Sequence, residues 1–374
     1  MDEFKTKVLG VYKTKKISPV WKVSEVMKKI NVNIDEDSWG TTPVPSSILG
    51  IPNQENFNLI EVLIHIGMVT RHPEDHGINI NTYWAFLRYM NCFKEGENFK
   101  LSKKWEDVDS HQKTILSDDF GMGFASYLLT KYMDIIAIVD TGFFLKYLPS
   151  SLGVNKKSKK GPSKTPDFIL LDRSGDLHIL ECKGTQTSIN RLEKQLSDGK
   201  EQVDNLNDPG GIISEKLVTG IFIPQFKSTE QAYFKIIDPE FSLDFADVKK
   251  EEVVVRCLQG QLAKELQMVD KREWGNYIAN IKELKEVNLE HLFEVFKVDD
   301  VNLDYSNNFH SDGFEWKVKF HTTIFKKMNE NRNINLYDFL LGNIKKEVRV
   351  GKNDRNQIEV NSVLGLTISA SNKN

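Results

Sequence analysis

The stretch TPDFILLDRSGDLHILECKG, residues 165–184, carries two apolar runs around a polar turn. FILL (168–171) and LHIL (177–180) are short, apolar and bounded by turn-forming residues, the pattern of buried strands. DRSGD (172–176) supplies the Asp and Gly that a tight reversal needs. With Ser174 at the centre of a symmetric hairpin, Leu171 faces Leu177, Phe168 faces Leu180, and Asp167 lies opposite Glu181. Opposed residues share a face, with Cβ atoms roughly 4.5–5.5 Å apart. The two-residue period of a strand puts Lys183 on the same face as Glu181. Three charged groups therefore converge at one end of a hairpin whose middle is apolar.

Two carboxylates held this closely repel each other and are costly beside a core. A hard divalent cation answers both problems. Mg²⁺, or Mn²⁺ in its place, takes oxygen ligands: one or two carboxylates, waters and a substrate phosphate. Asp167 and Glu181 are the expected metal ligands, and the backbone carbonyl of Cys182 between the charged side chains is a further candidate. Lys183 is placed to touch a phosphate oxygen or orient an attacking water. The arrangement suits phosphodiester hydrolysis. The plain alternative is a hairpin end with a Lys–Glu surface pair, which contributes ~0–1 kcal/mol.

The neighbouring sequence reads as an α/β layer. DDFGMGFASYLLTKYM (118–133) predicts a helix capped by Asp118 or Asp119, with Phe124, Leu128 and Tyr132 inward. IIAIV (135–139) predicts a strand. Residues 155–164, NKKSKKGPSK, predict a loop whose Lys156, Lys157, Lys159, Lys160 and Lys164 are candidates for holding a DNA backbone, or simply a solvated segment. After the hairpin, Ile189, Leu192, Leu196, Val203 and Leu206 lie at helical spacing. KLVTGIFI (216–223) and FKIIDP (234–239) predict strands, and EEVVVRCLQGQLAKELQM (251–268) a long helix.

Pro166-Asp167, thirteen intervening residues, then Glu181-Cys182-Lys183 resembles the motif of the PD-(D/E)xK nuclease superfamily, the restriction-endonuclease-like fold. The order of elements over about residues 117–225 is similar as well. The resemblance implies a mixed central sheet flanked by helices, with Asp167 and Glu181 as metal ligands and Lys183 as the catalytic lysine. Many members add an acid from the first helix. Here the predicted helix interior offers none, so only Asp118 or Asp119 at its start would serve. Some members place a Gln or Lys from the helix after the motif near the site, and Gln202 is the candidate, with Gln195 on the same face and Lys200 beside it. The implied activity is a metal-dependent endodeoxyribonuclease of bacterial restriction or anti-phage defence style, with a regulatory ligand or partner protein restraining it. Cleavage of both strands favours a homodimer or larger assembly. The same triad would also serve a repair, recombination or RNA nuclease. A non-catalytic scaffold or nucleic-acid-binding subunit is the reading from a different class.

The 374 residues divide into an N-terminal accessory or recognition region (1–115), a nuclease core (116–270) and a C-terminal α+β accessory region (271–374). In the first, PVWKVSEVMKKI (19–30), NFNLIEVLIHIGMVTR (56–71) and NTYWAFLRYMNCF (81–93) read as helices. In the last, NYIANIKELKEV and NINLYDFLLGNI read as helices, and EWKVKFHTTIF and QIEVNSVLGLTI as strands. The net charge of −3 announces no global attraction to nucleic acid. Three scattered cysteines form neither a disulfide framework nor a zinc set, and there is no signal-peptide or membrane-length apolar run, so a cytoplasmic location is expected. His65, His72 and His76 read as surface or core histidines, Tyr83, Trp84, Phe86 and Tyr89 as helix core, and the GMG of 121–123 as close helix packing. No P-loop is present.

Overall fold

The computed structural model describes residues 26–74, 83–147, 165–203, 211–238, 249–298, 305–311, 314–342, 344 and 357–372. The predicted hairpin is β4 (Phe168–Asp172) and β5 (Leu177–Thr185), in a mixed seven-stranded sheet. The other strands are β1 (Met27–Ile34), β2 (Gln54–Asn58), β3 (Ile135–Asp140), β6 (Ile213–Phe222) and β7 (Tyr233–Ile237), in the order β2-β1-β7-β6-β5-β4-β3. β1–β7 and β5–β6 run parallel and the remaining pairs antiparallel. β1 and β2 come from the region expected as an N-terminal accessory segment, and they extend the sheet that holds the hairpin.

The helix expected over 19–30 is corrected in part: residues 27–30 are strand β1. Its buried side chains, Lys28, Ile30 and Val32, recur at period two. Lys28 fits inside because its ammonium donates to the carbonyls of Lys94 (2.7 Å) and Gly96 (2.6 Å).

Helices cover both faces of the sheet. The parallel β5–β6 connection runs through α5 (Ile189–Val203), whose Leu192 and Leu196 pack with Ile179, Val218 and Phe222. On the opposite face lies α3 (Ser110–Met133), with Phe124 edge-on to Phe234 of β7 at 4.9 Å. α1 (Leu59–Val69) packs along α3, and α2 (Trp84–Tyr89) packs against α1. A short helix, α4 (Thr141–Tyr147), follows β3. Helix α6 (Lys250–Met268) covers the open edge of β3: Gln261 accepts from the Ile138 N–H at 3.3 Å, and Lys264 donates to the Ile138 carbonyl at 3.2 Å.

The C-terminal part holds α7 (Arg272–Asn280), α8 (Leu289–Phe296), α9 (Thr322–Glu330) and α10 (Leu336–Leu341). Its four-stranded antiparallel sheet, β8 (Tyr305–Ser311), β9 (Phe314–Phe320), β10 (Gln357–Asn361) and β11 (Leu366–Asn372), is ordered β10-β11-β9-β8. The expected strand EWKVKFHTTIF thus divides into β9 and the start of α9. Buried apolar side chains of both sheets belong to one continuous core. Among the described residues no helix is long and apolar enough to cross a membrane.

Candidate active site

The hairpin has the register that its symmetry predicts: Phe168 pairs with Leu180, Ile169 with Ile179, Leu170 with His178 and Leu171 with Leu177. Gly175 makes the reversal at φ +86°, donating to the Asp172 carbonyl at 3.1 Å, while the Asp172 carboxylate accepts from the Asp176 N–H at 2.8 Å.

Asp167 stands where β4 begins. Its N–H donates to Glu181 Oε2 (3.2 Å), its Oδ2 accepts from the Cys182 N–H (2.8 Å), and its carbonyl accepts from the Thr141 N–H (3.1 Å). The Lys183 ammonium pairs with Glu181 Oε1. Asp167, Glu181 and Lys183 are thus brought together as the sequence predicted. Only 1 % of Glu181 is exposed, and 18 % of the Lys183 side chain. In a strand, a residue's own N–H and C=O point to the same side. The Cys182 carbonyl is therefore turned toward Asp167, past the end of β4. Burial first, and then the charges of Asp167 and Glu181, push the Cys182 thiol well above its ordinary value, which is no state for a nucleophile.

The expected absence of an acid inside the first helix is overturned. Helix α3 starts eight residues before Asp118, capped by Asp109, whose carboxylate accepts from the His111 N–H at 2.8 Å. Asp118 and Asp119 are both interior. Two glycines let the helix lie directly on β5. A Cβ on Gly184 would overlap the Ser117 carbonyl, and one on Gly121 would come within 2.9 Å of the Lys183 carbonyl oxygen. The helix therefore meets the strand at the residue before Asp118. Asp118 is exposed on the helix surface; partial desolvation raises its carboxyl and Lys183 opposes the rise. Asp118 acts on Asp167 in turn, as does Asp140 at the end of β3, which pairs with the buried Lys264 at 2.9 Å. Asp119 turns away, bonded by the buried Tyr89 hydroxyl, and burial lifts it to about 6. The sequence names Asp118 or Asp119 but places them at the helix start; the Asp109 cap, which sets the helix start more than two turns further back, makes both interior. Asp140 is the acid that sequence reasoning missed, and it carries no comparable signal.

Burial raises the Asp167 carboxyl, against the Cys182 N–H and Lys183. It also lifts Glu181 to about 7, with Asp167 adding repulsion and Lys183 opposing. Three carboxyls thus share one lysine. Among the described residues no three His, Cys, Asp or Glu side chains form a ready-made metal cage. A cation of the Mg²⁺ kind needs only one or two carboxylates besides waters and substrate oxygens, so this oxygen-rich, cation-poor donor set fits one.

The other candidates divide. Gln195 reaches the site's edge, with Nε2 donating to the Gly184 carbonyl at 3.4 Å. Gln202 lies in the last turn of α5, and its side chain falls outside the described residues. Lys156, Lys157, Lys159, Lys160 and Lys164 are also outside them, as is His76. His65 is buried against Ser126 at 2.9 Å, and His72 accepts from the Glu74 N–H at 3.1 Å. Phe86 and Tyr89 are core, and Tyr83 stacks on Phe309 of β8 at 3.8 Å. Gly121 and Gly123 pack closely, as the GMG reading expected; a Cβ on Gly123 would overlap Ile66. Compared with family models, with curated proteins and with solved structures, the chain matches none of them.

Proposed function

We propose that the chain is a metal-dependent nuclease of the PD-(D/E)xK kind, hydrolysing phosphodiester bonds with DNA preferred, as an endonuclease effector of restriction or anti-phage defence. The observation that carries this reading is the grouping of Asp118, Asp167 and Glu181 around Lys183 at the end of a buried hairpin. Asp167 and Glu181, with the Cys182 carbonyl, would hold Mg²⁺ or Mn²⁺. When bound, the cation offsets charge building on the phosphate and acidifies the attacking water.

The chain's own residues do the positioning. The N–H of Cys182 holds the Asp167 carboxylate, and that of Asp167 holds Glu181, so both acids are fixed before anything binds. Lys183, the cation of the group, presents N–H donors to a phosphate oxygen or to the water beside it. Asp118 is placed to receive a proton through that water or to add an oxygen to the donor set. The nearly complete burial of Glu181 keeps bulk water from screening these charges.

The test is cleavage of plasmid and linear DNA in Mg²⁺ or Mn²⁺, with Asp167→Ala, Lys183→Ala and EDTA beside the wild type. Metal-dependent cutting lost in both variants supports the reading. Folded wild type that neither cuts nor binds Mn²⁺ by calorimetry overturns it and favours the scaffold class. Sedimentation with and without DNA tests the expected dimer; a monomer in both would remove it.

A further inference from the structure

A second site lies away from the motif. A cavity of about 390 Å³ opens between α1, α3, β3 and the β10–β11 turn. That volume is within the range of small-molecule sites, roughly 300–1,000 Å³. An apolar cavity of about 150 Å³ already takes benzene, so this one has room for a two-ring body. Its walls are apolar at the sheet and at the turn, with Ile135, Ile136 and Val363 among them.

The charged side chains around it are committed within the chain. Glu55 holds Lys131 at 2.6 Å, and Asp134 holds Arg173 through bonds of 2.6 and 3.0 Å. Glu359 accepts from the Asn361 amide at 2.9 Å, and Glu61 is engaged as well. A charged molecule entering here would give up its water and meet no uncommitted counter-ion.

Two polar groups stay open, and neither is charged. His65 is only 4 % exposed; its Nδ1 shares a hydrogen bond with Ser126 at 2.9 Å, and its Nε2 has no hydrogen-bond partner among the described residues. Burial lowers its pKa to about 4, so the imidazole is neutral. Thr130 stands four residues after Ser126 on α3, on the same helix face, and its hydroxyl has no partner among the described residues either. The hydroxyl can both donate and accept, and the imidazole nitrogen does one or the other according to its tautomer. A ligand hydroxyl, which also does both, satisfies the two groups whichever tautomer His65 takes.

We infer that this cavity binds an uncharged two-ring molecule whose hydroxyl group bonds His65 and Thr130. Its apolar body lies on the β3 and β10–β11 walls. The site is independent of the phosphodiesterase reading, although its walls include α3 and β3, the elements that carry Asp118 and Asp140.

The probes are 2-naphthol, 2-naphthoate and 2-naphthylmethylamine, which share one ring system and are neutral, anionic and cationic at pH 7. Each is titrated by ligand-detected NMR into the full-length protein in EDTA, so that the motif contributes no metal. 2-Naphthol is expected to bind at least about tenfold more tightly than either charged probe. Thr130→Val keeps the shape of the side chain and removes its hydroxyl, and His65→Phe keeps a ring and removes both nitrogens. Each is expected to weaken 2-naphthol about two- to tenfold, the loss of one hydrogen bond. Val363→Trp, which adds bulk from a half-buried turn position, is expected to weaken it at least about fivefold. A cooperative melting curve shows that each variant is folded, and Thr130→Val, the mildest change, keeps the test open should His65→Phe fail to fold. A charged probe binding as tightly as 2-naphthol, or no binding of 2-naphthol to folded wild type, would overturn the proposal. So would an affinity untouched by Val363→Trp, or one untouched by every folded variant at positions 65 and 130.

Discussion

Replacing Glu181 by Gln keeps the size of the side chain and removes its charge. The wild-type carboxyl is 1 % exposed, and its pKa is lifted from 4.5 to about 7, by burial first and then by the charge of Asp167. The folded protein therefore keeps this proton to a higher pH than the unfolded chain does. Between about pH 4.5 and pH 7 the unfolded chain ionises first, so the carboxyl subtracts stability as pH rises, and the loss is complete above that window. A shift of about 2.5 units at 1.36 kcal/mol each is about 3 kcal/mol. The pull of Lys183 is already counted in that figure, which is an upper one because Gln does not reproduce every hydrogen bond of the carboxyl. In EDTA at pH 8, Glu181→Gln should be more stable than wild type by about 1–3 kcal/mol; at pH 4 the gain should vanish. Mn²⁺ at about 100 times its Kd adds about 2.7 kcal/mol to a protein that binds it, so metal should erase or reverse the order at pH 8. Urea unfolding followed by tryptophan fluorescence, at both pH values with and without Mn²⁺, measures all four states. A variant less stable than wild type by the same margin at both pH values would refute the reasoning, since Glu181 would then be an ordinary ion-pair partner.

Mn²⁺ must displace the proton that Glu181 holds up to about pH 7, so its Kd should fall by about tenfold per pH unit between pH 5 and 7 and level off above. Calorimetry in buffers of different ionisation enthalpy should show about one proton released at pH 6, and a flat pH profile would contradict this. Gly184→Ala drives a Cβ into the Ser117 carbonyl, backbone against backbone, and should cost about 3 kcal/mol or more. Gly142→Ala, on α4 with nothing within 4 Å, should be neutral or stabilising by up to about 1 kcal/mol in the same urea experiment. Asp118→Asn should weaken Mn²⁺ binding about 10–100-fold with little change in unfolding midpoint. Asp119→Asn, which disturbs only the Tyr89 bond, should cost about 1–2 kcal/mol of stability and leave the Mn²⁺ titration where it was.

The hairpin was legible because two constraints agree on it. A five-residue polar turn and two apolar runs of equal length admit one symmetric register, and period two then fixes which face each charge takes. The strand at β1 was obscured by Val23, Val26, Met27 and Ile30, which mimic helical spacing, and by a lysine at an inward position. Lys28 belongs inside only because carbonyls 66 and 68 residues away receive it, and a local pattern holds no trace of them. The start of α3 was obscured by SHQKTILS, residues 110–117, whose polar first turns give little apolar periodicity. Reading the cap at Asp118 or Asp119 instead of Asp109 turns two interior acids into capping ones, so the sequence names the third carboxyl of the site without separating Asp118 from Asp119.

That third carboxyl bears on the choice between a site and a surface ion pair. An exposed Lys–Glu pair at a hairpin end would leave both groups in water, where neither is shifted and removal of either is nearly neutral. Here Glu181 is out of water, burial raises Asp167, and Asp118, exposed on the adjoining helix, faces the same lysine. Each acid added to such a group makes the next harder to ionise. Without a bound cation the arrangement is paid for in stability, and the glycines at 121 and 184 bring α3 close enough to add to that cost rather than relieve it. A divalent cation offsets the repulsion among the acids by attracting each of them to one shared charge. The burial that penalises the acids then strengthens their hold on the metal. This is why the structure supports a cation-dependent reading more strongly than the motif residues do by themselves.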